Sequence, residues 1–130
     1  MPDELTELRD ADEFEQLLTE SARRPLLLYK HSLSCGTSAE ALDELLEHIS
    51  RGGSDTRYAI VTVQTHRELS SLIAKTLGVR HETPQVLLVR NGAVVWSASH
   101  FRVNADALDT ALTAPSPAPP PTPTTTPTEN

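Results

Sequence analysis

Three short apolar runs, with helical segments between them, restrict this chain to a narrow set of architectures. They are Leu26-Leu27-Leu28-Tyr29, Tyr58-Ala59-Ile60-Val61-Thr62-Val63 and Val86-Leu87-Leu88-Val89. Continuous runs of this length suit strands covered on both faces. Ahead of the first run, Phe14, Leu17, Leu18 and Ala22 recur at helical spacing behind a capping box of Asp10 and Glu13. Arg23-Arg24 stands at the end of this predicted helix and Pro25 closes it. Between the first and second runs, Ala41, Leu42, Leu45, Leu46 and Ile49 mark another helix, with Gly52-Gly53 beyond it. Between the second and third, Leu69, Leu72, Ile73 and Leu77 do the same, with Gly78 at the C-cap. Asn91-Gly92 is a two-residue hairpin signal, and Ala93-Val94-Val95-Trp96 is the returning strand. Asn104 caps a last helix carrying Leu108 and Leu112, and Thr6 to Leu8 adds a short edge strand at the start. Strands that alternate with helices run parallel, whereas a hairpin adds antiparallel ones. The expected fold class is α/β: one mixed sheet of four to five strands with helices on both faces.

The last 17 residues, Ala114 to Asn130, hold seven prolines and five threonines. Such a composition buries no core and reads as a disordered, partly polyproline tail. The domain is therefore residues 1–113, and the tail is 114–130. A domain of this size folds without disulfides or metal. The formal net charge of -7 and the lack of a basic patch argue against nucleic acid as a partner. The longest apolar runs are far too short for a membrane span. Met1-Pro2-Asp3-Glu4-Leu5 has neither the charged start nor the apolar core of a signal peptide. A single cysteine makes no internal bridge and fits a reducing compartment. The expected location is the cytoplasm.

That cysteine, Cys35, lies in Lys30-His31-Ser32-Leu33-Ser34-Cys35-Gly36-Thr37-Ser38, between the first strand and the helix after it. The start of a helix offers unpaired backbone N–H groups and the positive end of a dipole, and both favour a thiolate. Cys35 is thus the candidate nucleophile. Ser38 follows one helical turn later, where its hydroxyl is placed to donate to a thiolate. Cys-x-x-Ser is a dithiol motif with its second sulfur replaced by oxygen. Cys35 is able to attack a disulfide, but Ser38 cannot resolve the product, so a second thiol must come from outside. Read from the residues alone, a small buried hydrophobe remains the other reading of Cys35. The polar neighbours Ser32, Ser34, Thr37 and Ser38 count against it.

With Cys35 after the first central strand and Thr83-Pro84 ahead of the hairpin, the order of elements resembles a thioredoxin-type domain. The resemblance implies that Pro84 is cis and packs beside the active cysteine. Within that superfamily the chain resembles the monothiol bacilliredoxins over roughly residues 5–112. The matching residues are Pro25 to Leu28, Tyr29-Lys30-His31-Ser32, Cys35 with Ser38, Thr83-Pro84-Gln85 and Asn91-Gly92. Gly36 departs from the proline expected there and should loosen the helix start.

This resemblance implies removal of bacillithiol from mixed disulfides on client proteins through Cys35. Ser38, His31, Lys30, Gly36 and Thr37 would support that step, and Thr83 and Pro84 would receive the incoming segment. Lys30 and His31 are near enough in sequence to hold a thiolate by charge, although Lys30 is expected to point to solvent. Bacillithiol enters as a transient co-substrate, and it or a partner reductase regenerates Cys35. No tightly bound cofactor and no metal are expected.

Two rival readings stand beside this one. A monothiol glutaredoxin shares most of Cys35-Gly36-Thr37-Ser38 and acts on glutathione or carries an iron–sulfur cluster. Its usual Gly-Gly pair is missing from Phe101 to Asp106. A thioredoxin-like adaptor would bind a partner without exchange. His48, His66, His81 and His100 lack metal-ligand spacing and are expected to be structural or at the surface.

Overall fold

The computed structural model describes residues 4–34, 36–52 and 55–113. The predicted tail, Gly53 and Cys35 lie outside them. The elements run β1 (Leu5–Glu7), α1 (Ala11–Glu20), β2 (Leu26–His31), α2 (Gly36–Arg51), β3 (Arg57–Thr62), α3 (Arg67–Leu77), β4 (Gln85–Arg90), β5 (Ala93–Ser99) and α4 (Ala105–Thr113). A 3-10 turn over His100–Arg102, which no sequence signal marked, joins β5 to α4. The five strands form one sheet in the order β1-β3-β2-β4-β5. β1 and β2 both run parallel to β3, and β4 runs antiparallel to β2 and β5. This is the mixed sheet that the sequence pattern calls for.

Both faces are covered, as the continuous apolar runs require. Leu27, Tyr29, Ile60, Val86 and Leu88 point to one face, where Ala41, Leu45 and Ile49 of α2 and Leu108 of α4 pack on them. Leu26, Leu28, Ala59, Val61, Leu87 and Val89 point to the other, against Phe14 and Leu17 of α1 and Leu69 and Ile73 of α3. Trp96 packs at the margin of the first cluster.

Local chemistry sets the element ends. The Asp10 side chain accepts from Glu13 N–H at 2.9 Å, and the Glu13 carboxylate accepts from Arg9 N–H at 2.7 Å. Asn104 Oδ1 accepts from Ala107 N–H at 2.9 Å. Gly78 ends α3 at φ 67, and Asn91 and Gly92 turn the hairpin at φ 53 and 77, values that Gly and Asn tolerate best. Two expectations shift. β1 begins one residue earlier than predicted, and α1 stops at Glu20 with Ser21 as its cap, so Arg23-Arg24 lies past the helix rather than in its last turn. Among the described residues no helix is long and apolar enough to cross a membrane.

Candidate active site

β2 is the middle strand, and the segment that carries Cys35 leaves its C-terminal end. β2 finishes at His31, Ser32 to Ser34 form a turn, and α2 begins at Gly36. The first-turn N–H groups of a 16-residue helix therefore open directly after position 35. Cys35 itself is outside the described residues, so the site is defined by the groups around it in the chain.

Hydrogen bonds from three side chains hold the turn and the helix start behind it. Gln64, just past β3, accepts from Leu33 N–H at 3.0 Å and donates through Nε2 to Ser32 Oγ at 2.7 Å and to Ser34 Oγ at 3.2 Å. Ser38, fully buried, accepts from Ser32 N–H at 3.3 Å through its Oγ. The buried Tyr29 hydroxyl donates to the Ser38 carbonyl at 2.8 Å. The same hydroxyl lies 3.0 Å from His31 Nδ1. A phenol has one proton to give, so the proton in this second bond sits on His31 Nδ1. Burial pushes the His31 pKa down and keeps the ring neutral. His31 thus offers an Nε2 lone pair rather than a positive charge.

The Thr83–Pro84 peptide is cis. The ladder between β2 and β4 ends at the Lys30–Gln85 pair, which brings Pro84 to the end of β2 from which the Cys35 turn departs. The Pro84 carbonyl accepts from His100 N–H at 2.9 Å, which fixes the 3-10 turn beside it. The sheet therefore gathers Pro84, His31 and the Ser32–Ser34 turn at one end of its inner strands β2 and β4.

Lys30 overturns its expectation. It does not point to solvent: it is 0% exposed, and its Nζ donates to the Ser70 carbonyl at 3.2 Å and lies 3.0 Å from His81 Nδ1. The cause is the strand's alternation. Tyr29 and His31 face α2, so Lys30 between them faces α3. Desolvation lowers its pKa to about 8. Thr83 lines a cleft on this α3 side, whereas Thr37 and Gly36 lie in the first turn of α2. The sequence carried no sign of Gln64, Ser70 or His81 as site neighbours, because each meets the turn or Lys30 only through the fold.

Solved structures share this architecture. A thioredoxin-fold protein described as a candidate oxidoreductase is 34% identical, with 82% of this chain and 92% of that one covered, at a TM-score of 0.73. A mutant thioredoxin from Halobacterium salinarum NRC-1 is 23% identical, with 92% and 96% covered, at 0.68. Mitochondrial thioredoxin 3 from Saccharomyces cerevisiae is 18% identical, with 83% and 92% covered, at 0.65. Fold and site together define a thiol-redox protein of thioredoxin fold. The model of the family described as monothiol bacilliredoxin BrxC matches residues 6–108, and the chain belongs to that family.

Proposed function

We propose that this protein removes bacillithiol from mixed disulfides on client proteins, through Cys35 acting alone. The observation that carries the reading is the family match across residues 6–108, in a chain whose only thiol is Cys35 and whose position 38 is serine. The Cys35 thiolate attacks the bacillithiol sulfur. The S–S bond to the client breaks, and the client leaves as its thiolate. Cys35 then carries bacillithiol as a new disulfide. A second bacillithiol, or the thiol of a partner reductase, attacks that disulfide, takes the bacillithiol away as an oxidised product and returns the Cys35 thiolate. Ser38 forms no internal disulfide, which makes the outside thiol obligatory.

Two side chains support a protein client. Leu33, 66% exposed in the turn before Cys35, and Phe101, 79% exposed in the turn bonded to Pro84, are large apolar groups left in water near the site. Apolar groups displayed in this way suit docking of a polypeptide carrying the disulfide. The test is mass spectrometry of the protein mixed with a bacillithiol-modified client. The expected result is client release with a bacillithiol adduct on Cys35, and loss of both in Cys35→Ser. A parallel arm with glutathione-modified client reads thiol preference. A wild-type protein that reacts with neither client overturns the proposal.

A further inference from the structure

A cleft of about 410 Å³ opens beside the Cys35 turn on the α3 side. Ser32, Gln64, Arg67, Ser70, His81 and Thr83 line it, and among the described residues no acidic side chain does. Two cations address it. Arg67 is exposed at the start of α3 and makes no ion pair among the described residues. Lys30 stands behind the wall, tied to two lining residues, Ser70 and His81. Both of its partners are uncharged acceptors.

A buried ammonium without a carboxylate partner is costly, and an anion nearby offsets part of that cost. Lys30 also orients His81. With Nδ1 accepting from the ammonium, the ring's proton sits on Nε2, where it is a donor. Desolvation and the Lys30 charge push the His81 pKa down, so the ring stays neutral. In a molecule of net charge -7, this cleft presents one exposed guanidinium and several polar donors, with Glu82 next to His81 as the neighbouring carboxylate and Lys30 behind the wall. Its borders are Ser32, on the turn before Cys35, and Thr83, next to Pro84.

We propose that this cleft is the binding site for the carboxylate-bearing end of the small thiol exchanged at Cys35, with Arg67 and His81 as its direct donors. The inference rests on the exchange reading above, because that reading places the thiol's sulfur at Cys35. Ser32, three residues before Cys35 in sequence, and Thr83, next to Pro84, border the cleft, so a ligand held at the exchange point has the cleft beside it. The volume lies in the range of small-molecule sites. A guanidinium grips a carboxylate with two parallel hydrogen bonds, so Arg67 is the stronger of the two donors. Lys30 strengthens the field from behind without touching the ligand.

The probe is S-methyl bacillithiol, a thioether that cannot exchange, titrated calorimetrically into full-length Cys35→Ser protein. Saturable binding is expected, weakening as salt rises. Arg67→Ala should weaken it about tenfold, the usual size of a lost charge-assisted hydrogen bond, and Arg67→Lys should recover part of the loss. His81→Ala should weaken it by a smaller factor. Both side chains are exposed, so an unchanged melting temperature checks the fold of each variant. Binding that ignores Arg67→Ala, or no binding at millimolar probe, overturns the cleft. The exchange assay runs beside it on proteins that retain Cys35. If wild type and Arg67→Ala release client with the same KM for bacillithiol, the cleft is wrong and exchange stands. If wild type releases no client while the thioether still binds through Arg67, exchange is wrong and the anion site stands.

Discussion

Lys30 shows how one residue's position in a strand decides its chemistry. It is the last fully buried residue of β2, and among the described residues its ammonium meets neutral acceptors, the Ser70 carbonyl and His81. Because folding lowers its pKa to about 8 from 10.5, the native protein releases this proton before the unfolded chain does. Between those two values the unfolded chain binds more protons, so the contribution of Lys30 to stability rises with pH and is lost as pH falls toward 8. Lys30→Met has no such group. Urea midpoints should therefore shift in favour of the wild type, relative to Lys30→Met, as the buffer moves from about pH 8 to pH 10. A gap that stays constant over that range would show that Lys30 is hydrated. Nothing in the local sequence marks this burial, because a buried lysine is the exception and its partners Ser70 and His81 come from a different helix and loop. Strand alternation puts Tyr29 and His31 on one face, but only the fold sets that face against α2. The cis bond at Pro84 could be expected only from the resemblance to the thioredoxin superfamily, for a proline before a strand has no such mark in its local sequence.

At the level of elements, helix and turn chemistry was readable wherever one residue type solves one local problem. Asp10, Gly78, Asn91-Gly92 and Asn104 all stand where their caps and turns were predicted. Boundaries and joints between elements were less legible, because tertiary contacts set them. The end of α1 is an example. Ser21 is buried, its carbonyl accepts from Asn91 N–H at 2.7 Å, and its Oγ accepts from Gly92 N–H at 2.8 Å. The helix cap thus clasps the tip of the β4–β5 hairpin. Ser21→Ala removes the Gly92 acceptor and should cost about 1–2 kcal/mol in chemical denaturation. Client release should be unaffected, since Ser21 touches none of the site residues. A second joint ties α2 to α4. His48 bonds Asp109 through Nδ1 at 2.6 Å and the Tyr58 hydroxyl through Nε2 at 2.9 Å, while Arg51 pairs with Asp106 and Asp109. His48 and Arg51 hold the Asp109 pKa below the usual carboxylate range. The expectation that His48 is structural fits this joint, although its partner 61 positions along the chain was invisible beforehand.

For the whole molecule, the order β1-β3-β2-β4-β5 has a kinetic consequence. The strand that launches the cysteine turn has a hydrogen-bonded neighbour on each side, and two further strands shield those neighbours from the margins. Fraying that begins at β1 or β5 must pass through β3 or β4 before it loosens β2. In native-state deuterium labelling, the amides of Leu27, Leu28 and Tyr29 should therefore be among the slowest to exchange, opening only when the entire domain unfolds. Faster exchange there than in β5 would mean that the centre of the sheet yields first. Redox chemistry on a protein surface exposes its own scaffold to oxidants and strained intermediates. Here the segment that carries Cys35 is anchored to the part of the molecule that lets go last.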